Sequence, residues 1–285
     1  MASKRIVRKA NPQKTAVKSP LVSIQVPTYN SERTLKKTLD ALKRQNYKNV
    51  EIIVIDGYSK DKTVKIAKEE GCRVIMCKGG LLEARIVGAR ESRGEYVLFI
   101  DSDQIIHSET INKAIELMKK YDYLWLYERA INRKEILPSL YDADRRLVQK
   151  HLNEGVVLPR FFKKDLLIKA MDNIPKDIYD ACSAHEHLLI FHEVRKISNN
   201  LGVVGNLKDP AVEHIEPSNL LILFKKQYRW GRTTREFYDK GFYREMIRSK
   251  NSFRGFHLDE IGLSVKSFVL RVLRGIPYKL GYHFG

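Results

Sequence analysis

Two aspartates one residue apart, Asp101 and Asp103 with Ser102 between them, follow the apolar run Tyr96–Ile100. Carboxylates at i and i+2 across a turn can hold a divalent cation against a diphosphate, because Mg2+ favours one or two carboxylates together with phosphate oxygens. Asp56 closes a second apolar run that starts at Val50, while Thr28 and Asn30 follow a third, Leu21–Val26. An aspartate at such a tip can receive a ribose hydroxyl or a base N–H. Each group taken singly also suits an ordinary turn or helix cap. Their weight comes from falling together on one edge, which requires them to end strands of one parallel sheet, where ligands bind beyond the carboxyl ends.

The intervening segments can build that sheet. Leu21–Val26, Val50–Asp56, Arg73–Met76, Tyr96–Ile100 and Tyr123–Ala130 read as strands. Between them, Ser31 can cap a helix reaching about Gln45, with Leu35, Leu39 and Leu42 on one face. Further helices are predicted from Asp61 to near Gly71, over Leu82–Ser92, and around Glu109–Tyr121. Strands separated by helix-length segments predict an α/β fold, a Rossmann-like and mostly parallel central sheet flanked by helices. No internal repeat or low-complexity tract interrupts it.

Four stretches in order now carry a family resemblance. Val22–Glu32 resembles the opening of family-2 glycosyltransferases, which have the GT-A fold. Asp56-Gly57-Tyr58-Ser59-Lys60-Asp61-Lys62-Thr63 is similar to that family's Asp-Gly-Ser-x-Asp-x-Thr element, with Tyr58 inserted. Arg85–Gly88 resembles its Arg-Asn-x-Gly segment, with Ile86 in place of Asn. Gly94–Asp103 is similar to its Gly-Glu-Tyr strand running into a DxD motif. The resemblance implies that Pro27, Thr28, Tyr29 and Glu32 line a base pocket, with Asp56 reaching the base and Arg85 near the base or diphosphate. It further implies that Asp101 touches ribose or metal, with Ser102 beside it in the nucleotide-sugar site. Asp103 would then hold Mg2+ or Mn2+ on the diphosphate of a nucleoside-diphosphate sugar.

The family carries an acidic pair opening a helix beyond the acceptor region, and Ala184–Leu189 resembles it, with Glu186 in the position of the general base. Asp180, six residues upstream, is the alternative base, and a helix N-terminal Glu favoured by the macrodipole is the purely structural reading. A zinc reading fails on spacing, because neither His185-Glu186 nor His192-Glu193 is completed as HExxH. His214, after Pro210-Ala211-Val212, matches a family histidine that ligates metal or diphosphate; it is equally readable as a structural residue. Gln227-Tyr228-Arg229-Trp230 is similar to the QxxRW motif of processive synthases but one residue short.

Composition bounds the rest. The chain has 285 residues, with 52 basic against 34 acidic and a net charge of +18. The excess sits at the ends: residues 1–20 hold six basic and no acidic residues, and 219–285 hold 14 basic and five acidic. The centre keeps only three excess positive charges, too few for the basic stripe that nucleic-acid binding requires, so no nucleic-acid partner is expected. A sugar-nucleotide pyrophosphorylase, the other enzyme reading, resembles a Gly-rich loop that Pro27–Glu32 lacks. No apolar run approaches the roughly 20 residues of a membrane span, Met1–Pro20 lacks the apolar core of a secretory signal, and three scattered cysteines suit a reducing compartment. The expected organisation is a flexible basic arm over 1–20, a catalytic domain over 21–217 and a basic amphipathic helical extension over 218–285. The catalytic domain divides into a nucleotide-binding half over about 21–104 and an acceptor half over about 105–217. In the extension Val265, Phe268, Val269, Val272, Leu273 and Ile276 share one helical stripe. It can pack on the catalytic domain or lie in a membrane interface. The expected protein is a cytoplasmic inverting glycosyltransferase acting on a saccharide or lipid-linked acceptor, held peripherally on an anionic cytosolic membrane face.

Overall fold

The computed structural model describes residues 19–150, 159–179, 182, 185–244 and 256–285. Residues 1–18 of the basic arm and Asp180 lie outside the described residues.

Strand β1 (Val22–Thr28) is buried along its whole length, as a strand covered on both faces must be. It pairs in parallel with β2 (Val50–Asp56) on one side and β4 (Tyr96–Phe99) on the other, and β3 (Arg73–Met76) extends the sheet beyond β2, also in parallel. Helices α1 (Leu35–Lys43), α2 (Thr63–Glu69) and α3 (Leu81–Glu91) make the crossovers. In β4 the period of two is plain: Tyr96 and Leu98 join the core with α1, while Val97 and Phe99 join the opposite core with α3. Leu35, Leu39 and Leu42 of α1 are fully buried, each contributing about 1.5–3 kcal/mol. Gly88 lets α3 approach the sheet closely, since a Cβ there would lie 2.8 Å from Ile55 Cδ1 and 3.0 Å from Gln25 Oε1.

After β4 come β5 (Gln104–Ile106), α4 (Thr110–Met118), β6 (Tyr123–Leu126), β7 (Glu128–Ala130) and α5 (Ile136–Lys150). Then follow β8 (Phe161–Lys163), α6 (Lys164–Asp172), α7 (Glu186–Ile197), β9 (Leu201–Val204), β10 (Val212–His214), α8 (Leu220–Asp239) and α9 (Ile261–Phe284). The large sheet runs β3-β2-β1-β4-β8-β6-β9 and a small one runs β5-β10-β7. The α/β expectation holds, with a mostly parallel central sheet and a C-terminal helix.

Three local expectations differ from the structure. The single strand expected over Tyr123–Ala130 is two strands in two sheets, because Tyr127 switches partners: its N–H donates to Val204 and its carbonyl accepts from Ala211 and Val212. The short strand β8, absent from the sequence reading, enters antiparallel between β4 and β6. Ser31 does not cap α1 with its side chain; its carbonyl accepts from Thr34 and Leu35, and the helix starts at Leu35.

Candidate active site

The carboxyl ends of β1, β2 and β4 lie side by side, and their loops interlock. Asp56, fully buried at the tip of β2, accepts from Thr28 Oγ1 at 2.8 Å, from the Ser59 N–H at 2.8 Å and from Ser59 Oγ at 2.6 Å. Tyr58 takes a left-handed φ of 61° to make this turn, a conformation that non-glycine residues adopt only under local constraint. Glu32 accepts from the Lys62 N–H at 3.1 Å, while its own N–H donates to Asp61 at 3.1 Å. Glu32 therefore ties the first loop to the second. Pro27 lies within β1 beyond the pairing with β4, which stops at Gln25. Tyr29 is exposed with its ring against Gly57, where a Cβ would sit 3.4 Å from Tyr29 Cδ2. Ser102 Oγ donates to Ser31 Oγ at 2.9 Å, joining the third loop to the first.

The structure gathers Asp101, Asp103 and His214, one ligand atom from each lying within 4.8 Å of the others. Sheet register explains the meeting of residues so distant in sequence. His214 pairs across β10–β5 with Gln104, the residue after Asp103, and the Ile215 N–H donates to the Asp103 carbonyl at 2.9 Å. His214 Nε2 lies 3.3 Å from Asp103 Oδ1. Two carboxylates suit Mg2+ or Mn2+, and an imidazole beside them favours Mn2+ of the two. The donor set thus fits the cation that the resemblance implies.

Behind this cluster stands a wall of charge. Asp101 pairs with Arg85 and, at 3.1 Å, with Arg160. Burial alone would raise the Asp101 pKa, but Arg160 and Arg85 outweigh it and hold the carboxyl well below the usual carboxylate range. Arg160 also pairs with Glu128, Glu128 with Arg145, and Arg145 with Glu216, whose Oε1 lies 3.4 Å from His214 Nδ1. The chain of pairs starts at one putting-forward carboxylate, Asp101, and returns to the His214 ring through β7 and α5. Glu128 and Glu216, for which burial would also raise the pKa, are held low by these arginines.

The fully buried Arg85 guanidinium lies 4.8 Å from the centre of the Phe99 ring, and its Nη2 is 3.2 Å from His187 Nε2. Among the described residues, Arg85 Nε and Nη1 have no hydrogen-bond partner. Burial, then Arg85 and Arg160, push the His187 pKa well below its ordinary value, so this ring is neutral. Glu186 opens α7, is nearly buried, and places Oε1 3.6 Å from His187 Nε2. It is thereby three contacts from Asp101, through His187 and Arg85. The adjoining His185 Nε2 lies 2.9 Å from Thr234 Oγ1, which docks the start of α7 on α8. The expected site residues Thr28, Asp56, Ser102, Asp101, Asp103, Arg85, His214 and Glu186 thus line one continuous edge. Sequence reasoning missed His187, Arg160, Glu128, Arg145 and Glu216. Only Glu216, two residues past His214, carried a local signal.

The family described as Glycosyl transferase family 2 matches residues 23–162. The glycosyltransferase GlyG of Streptococcus pneumoniae is 31% identical over 210 residues, 64% of this chain and 70% of that protein. Of the first curated relatives it matches, the chain spans 58%, 34% and 35% of their length. The solved structure of S. aureus TarS 1–349 with UDP-GlcNAc superposes with a TM-score of 0.53 at 18% identity, covering 92% of this chain and 90% of that one. The mannosyltransferase PcManGT from Pyrobaculum calidifontis, solved with GDP-Man and Mn2+, gives 0.54 at 14% identity, with 93% and 74% covered. At those identities the two structures speak for the fold, which is the GT-A fold that the motifs implied. Its ordered motifs, its fold and its likeness to GlyG place the chain in glycosyltransferase family 2.

Proposed function

We propose that the chain transfers a sugar from a nucleoside-diphosphate sugar to an acceptor hydroxyl with inversion at the anomeric carbon. The observation that carries this reading is the convergence of Asp101, Asp103 and His214 at the carboxyl edge of a parallel sheet, three contacts from Glu186 through Arg85 and His187. Pro27, Thr28, Tyr29, Glu32 and Ser102 shape the donor side, the exposed Tyr29 ring offering a face to the base and Asp56 fixing the loop beneath it. Asp101, Asp103 and His214 would hold Mn2+ or Mg2+. Such a cation supplies neutralising charge for the departing diphosphate.

In the transfer, the acceptor oxygen bonds to the anomeric carbon as the bond from that carbon to the diphosphate oxygen breaks. The bonding pair leaves with the nucleoside diphosphate, and the acceptor proton passes to the Glu186 carboxylate. Arg85 backs Asp101 and keeps it ionised. The nucleotide-sugar complexes of TarS and PcManGT support a donor of this class. The acceptor is a saccharide or a lipid-linked glycan at an anionic cytosolic membrane face. A screen of nucleotide sugars for hydrolysis and transfer, with and without Mn2+, tests the reading. Metal-dependent turnover of at least one donor supports it; inertness toward uridine and guanosine diphosphate sugars alike, in a protein that binds neither nucleotide, would sink it.

A further inference from the structure

Helix α9 packs with its amphipathic pattern reversed. Toward α8 and α5 it buries Ser264, Ser267, Leu270, Pro277 and Gly281. To the outside it presents Val265, Phe268, Val272, Ile276, Leu280 and Phe284, the last 79% exposed. These lie three or four residues apart on one stripe that runs roughly 30 Å at 1.5 Å per residue. The helix cannot roll to hide them. A Cβ on Gly281 would collide with the Tyr228 carbonyl and one on Gly231 with that of Tyr278, so α8 and α9 meet backbone to backbone. Ser267 Oγ further donates to Asp144 of α5 at 2.6 Å, and Arg274 sits over the Tyr141 ring at 5.7 Å. A second apolar stretch, Leu220–Ile222, is exposed where α8 begins. Exposed apolar surface of this extent, rimmed by polar groups, marks an interaction site.

We infer that this face seats the protein on an anionic lipid bilayer, the α9 stripe entering the headgroup boundary with the helix lying parallel to the surface. Charge selects this occupant. Lys225, Arg229, Lys266 and Lys279 form no ion pair among the described residues, whereas the acidic groups of the same helices and their approach, Glu236, Asp239, Asp259 and Glu260, are each engaged by a basic partner. A second copy of the chain would bring like charges together. Anionic headgroups would neutralise them while the stripe supplies apolar contact, the combination used by interfacial helices. No helix among the described residues is long and apolar enough to cross a membrane, so the seat lies in the interface plane. The inference extends the lipid-linked acceptor reading, yet binding needs no donor, so its failure and that of transfer are read separately.

The test floats the full chain with phosphatidylcholine vesicles and with vesicles containing phosphatidylglycerol, at low and high salt, beside light scattering of the protein alone. The unmodified chain floats with the anionic vesicles at low salt, and a fraction persists at high salt, where exposed charges are screened. Lys225→Gln, Lys266→Gln and Lys279→Gln together weaken partitioning on the order of 100-fold. Val265→Asp, Phe268→Asp and Val272→Asp together remove the salt-resistant fraction, with an unchanged melting temperature because all three sites are exposed. A folded parent chain that stays soluble beside anionic vesicles at low salt overturns the inference. So does flotation that neither set of substitutions alters. A dimer in solution that the aspartates split also overturns it, and assigns the face to a second copy.

Discussion

The front and the back of the Asp101–Asp103 turn are built from different chemistry. In front, the loops after β1 and β2 are laced by short bonds to backbone and hydroxyl groups: Thr28 and Ser59 to Asp56, Lys62 to Glu32, and the Lys60 N–H to Asn30 at 2.9 Å. Behind, the buried Arg160 and Glu216 and the partly buried Glu128 and Arg145 form a file of full charges drawn from β7, α5 and the segments before β8 and after β10. A broken bond in front leaves a group that neighbouring donors or water can serve. A broken pair behind leaves an uncompensated charge away from water. The front can therefore adapt to a ligand, while the back fixes where the metal-binding atoms stand.

The largest expected effect lies at neither wall but at Glu186, and it calibrates both. Glu186→Gln keeps shape and polarity but cannot take the acceptor proton, so turnover should fall about 10²–10⁴-fold with nucleotide affinity nearly unchanged. Steady-state kinetics beside nucleotide titration check this, and an active Glu186→Gln with an inactive Asp180→Asn would move the base to Asp180.

At the back wall, Arg145→Met leaves Glu216 without its arginine and Glu128 with Arg160 alone, and breaking such a buried pair costs about 3–5 kcal/mol. The milder Glu216→Gln should keep the fold but weaken Mn2+ binding about 10–100-fold through loss of the carboxylate charge behind His214. Denaturant melts and Mn2+ titration read the two effects apart, and unchanged values for both variants would dissolve the distinction between front and back. At the front, Thr28→Val should cost only about 1 kcal/mol, the net worth of one hydrogen bond, because Ser59 still serves Asp56.

Acid gives the subtlest contrast. His187 is neutral when folded and its pKa is lowered, whereas its unfolded pKa is about 6.5. The unfolded chain thus binds the extra proton first, and stability from this ring is full above about 6.5 and falls as pH drops below it. Asp101, also lowered, adds stability that is present above about 3.9 and is lost only as pH falls further. His187→Gln should flatten the melting temperature between neutral and mildly acidic pH without touching the lower window. A slope identical to that of the parent would mean that another group carries the first window.

The same contrast explains what the sequence could disclose. Asp56, Asp61 and Glu32 lie in turns whose partners are neighbours along the chain or sit in the adjoining loop, so local spacing exposes them. The strands of the nucleotide half are mostly apolar runs, and their bounds follow within a few residues. His214 could be named as a candidate but not placed, since only the β10–β5 register brings it beside Asp103. Arg145 sits mid-helix among other charges, where no pattern separates a buried pair from a solvated one. The three-residue β8 is too short to show a period, so its antiparallel entry, and with it the placing of Arg160, depended on tertiary pairing. The stripe on α9 was visible as a pattern, but whether it faced inward or outward was decided by Gly231 and Gly281, whose close approach leaves no choice.

The central claim is that Asp101, Asp103 and His214 together hold a divalent cation against a nucleoside diphosphate. Electron paramagnetic resonance of Mn2+ titrated into the protein, with and without that nucleotide, tests it without reference to any acceptor. One Mn2+ site is expected, which tightens when the nucleotide is added and is lost in Asp103→Ala, while the melting temperature stays put because Asp103 is half-buried on a turn outside the core. Tight Mn2+ binding that survives Asp103→Ala and His214→Ala alike, or nucleotide binding indifferent to the metal, would contradict it.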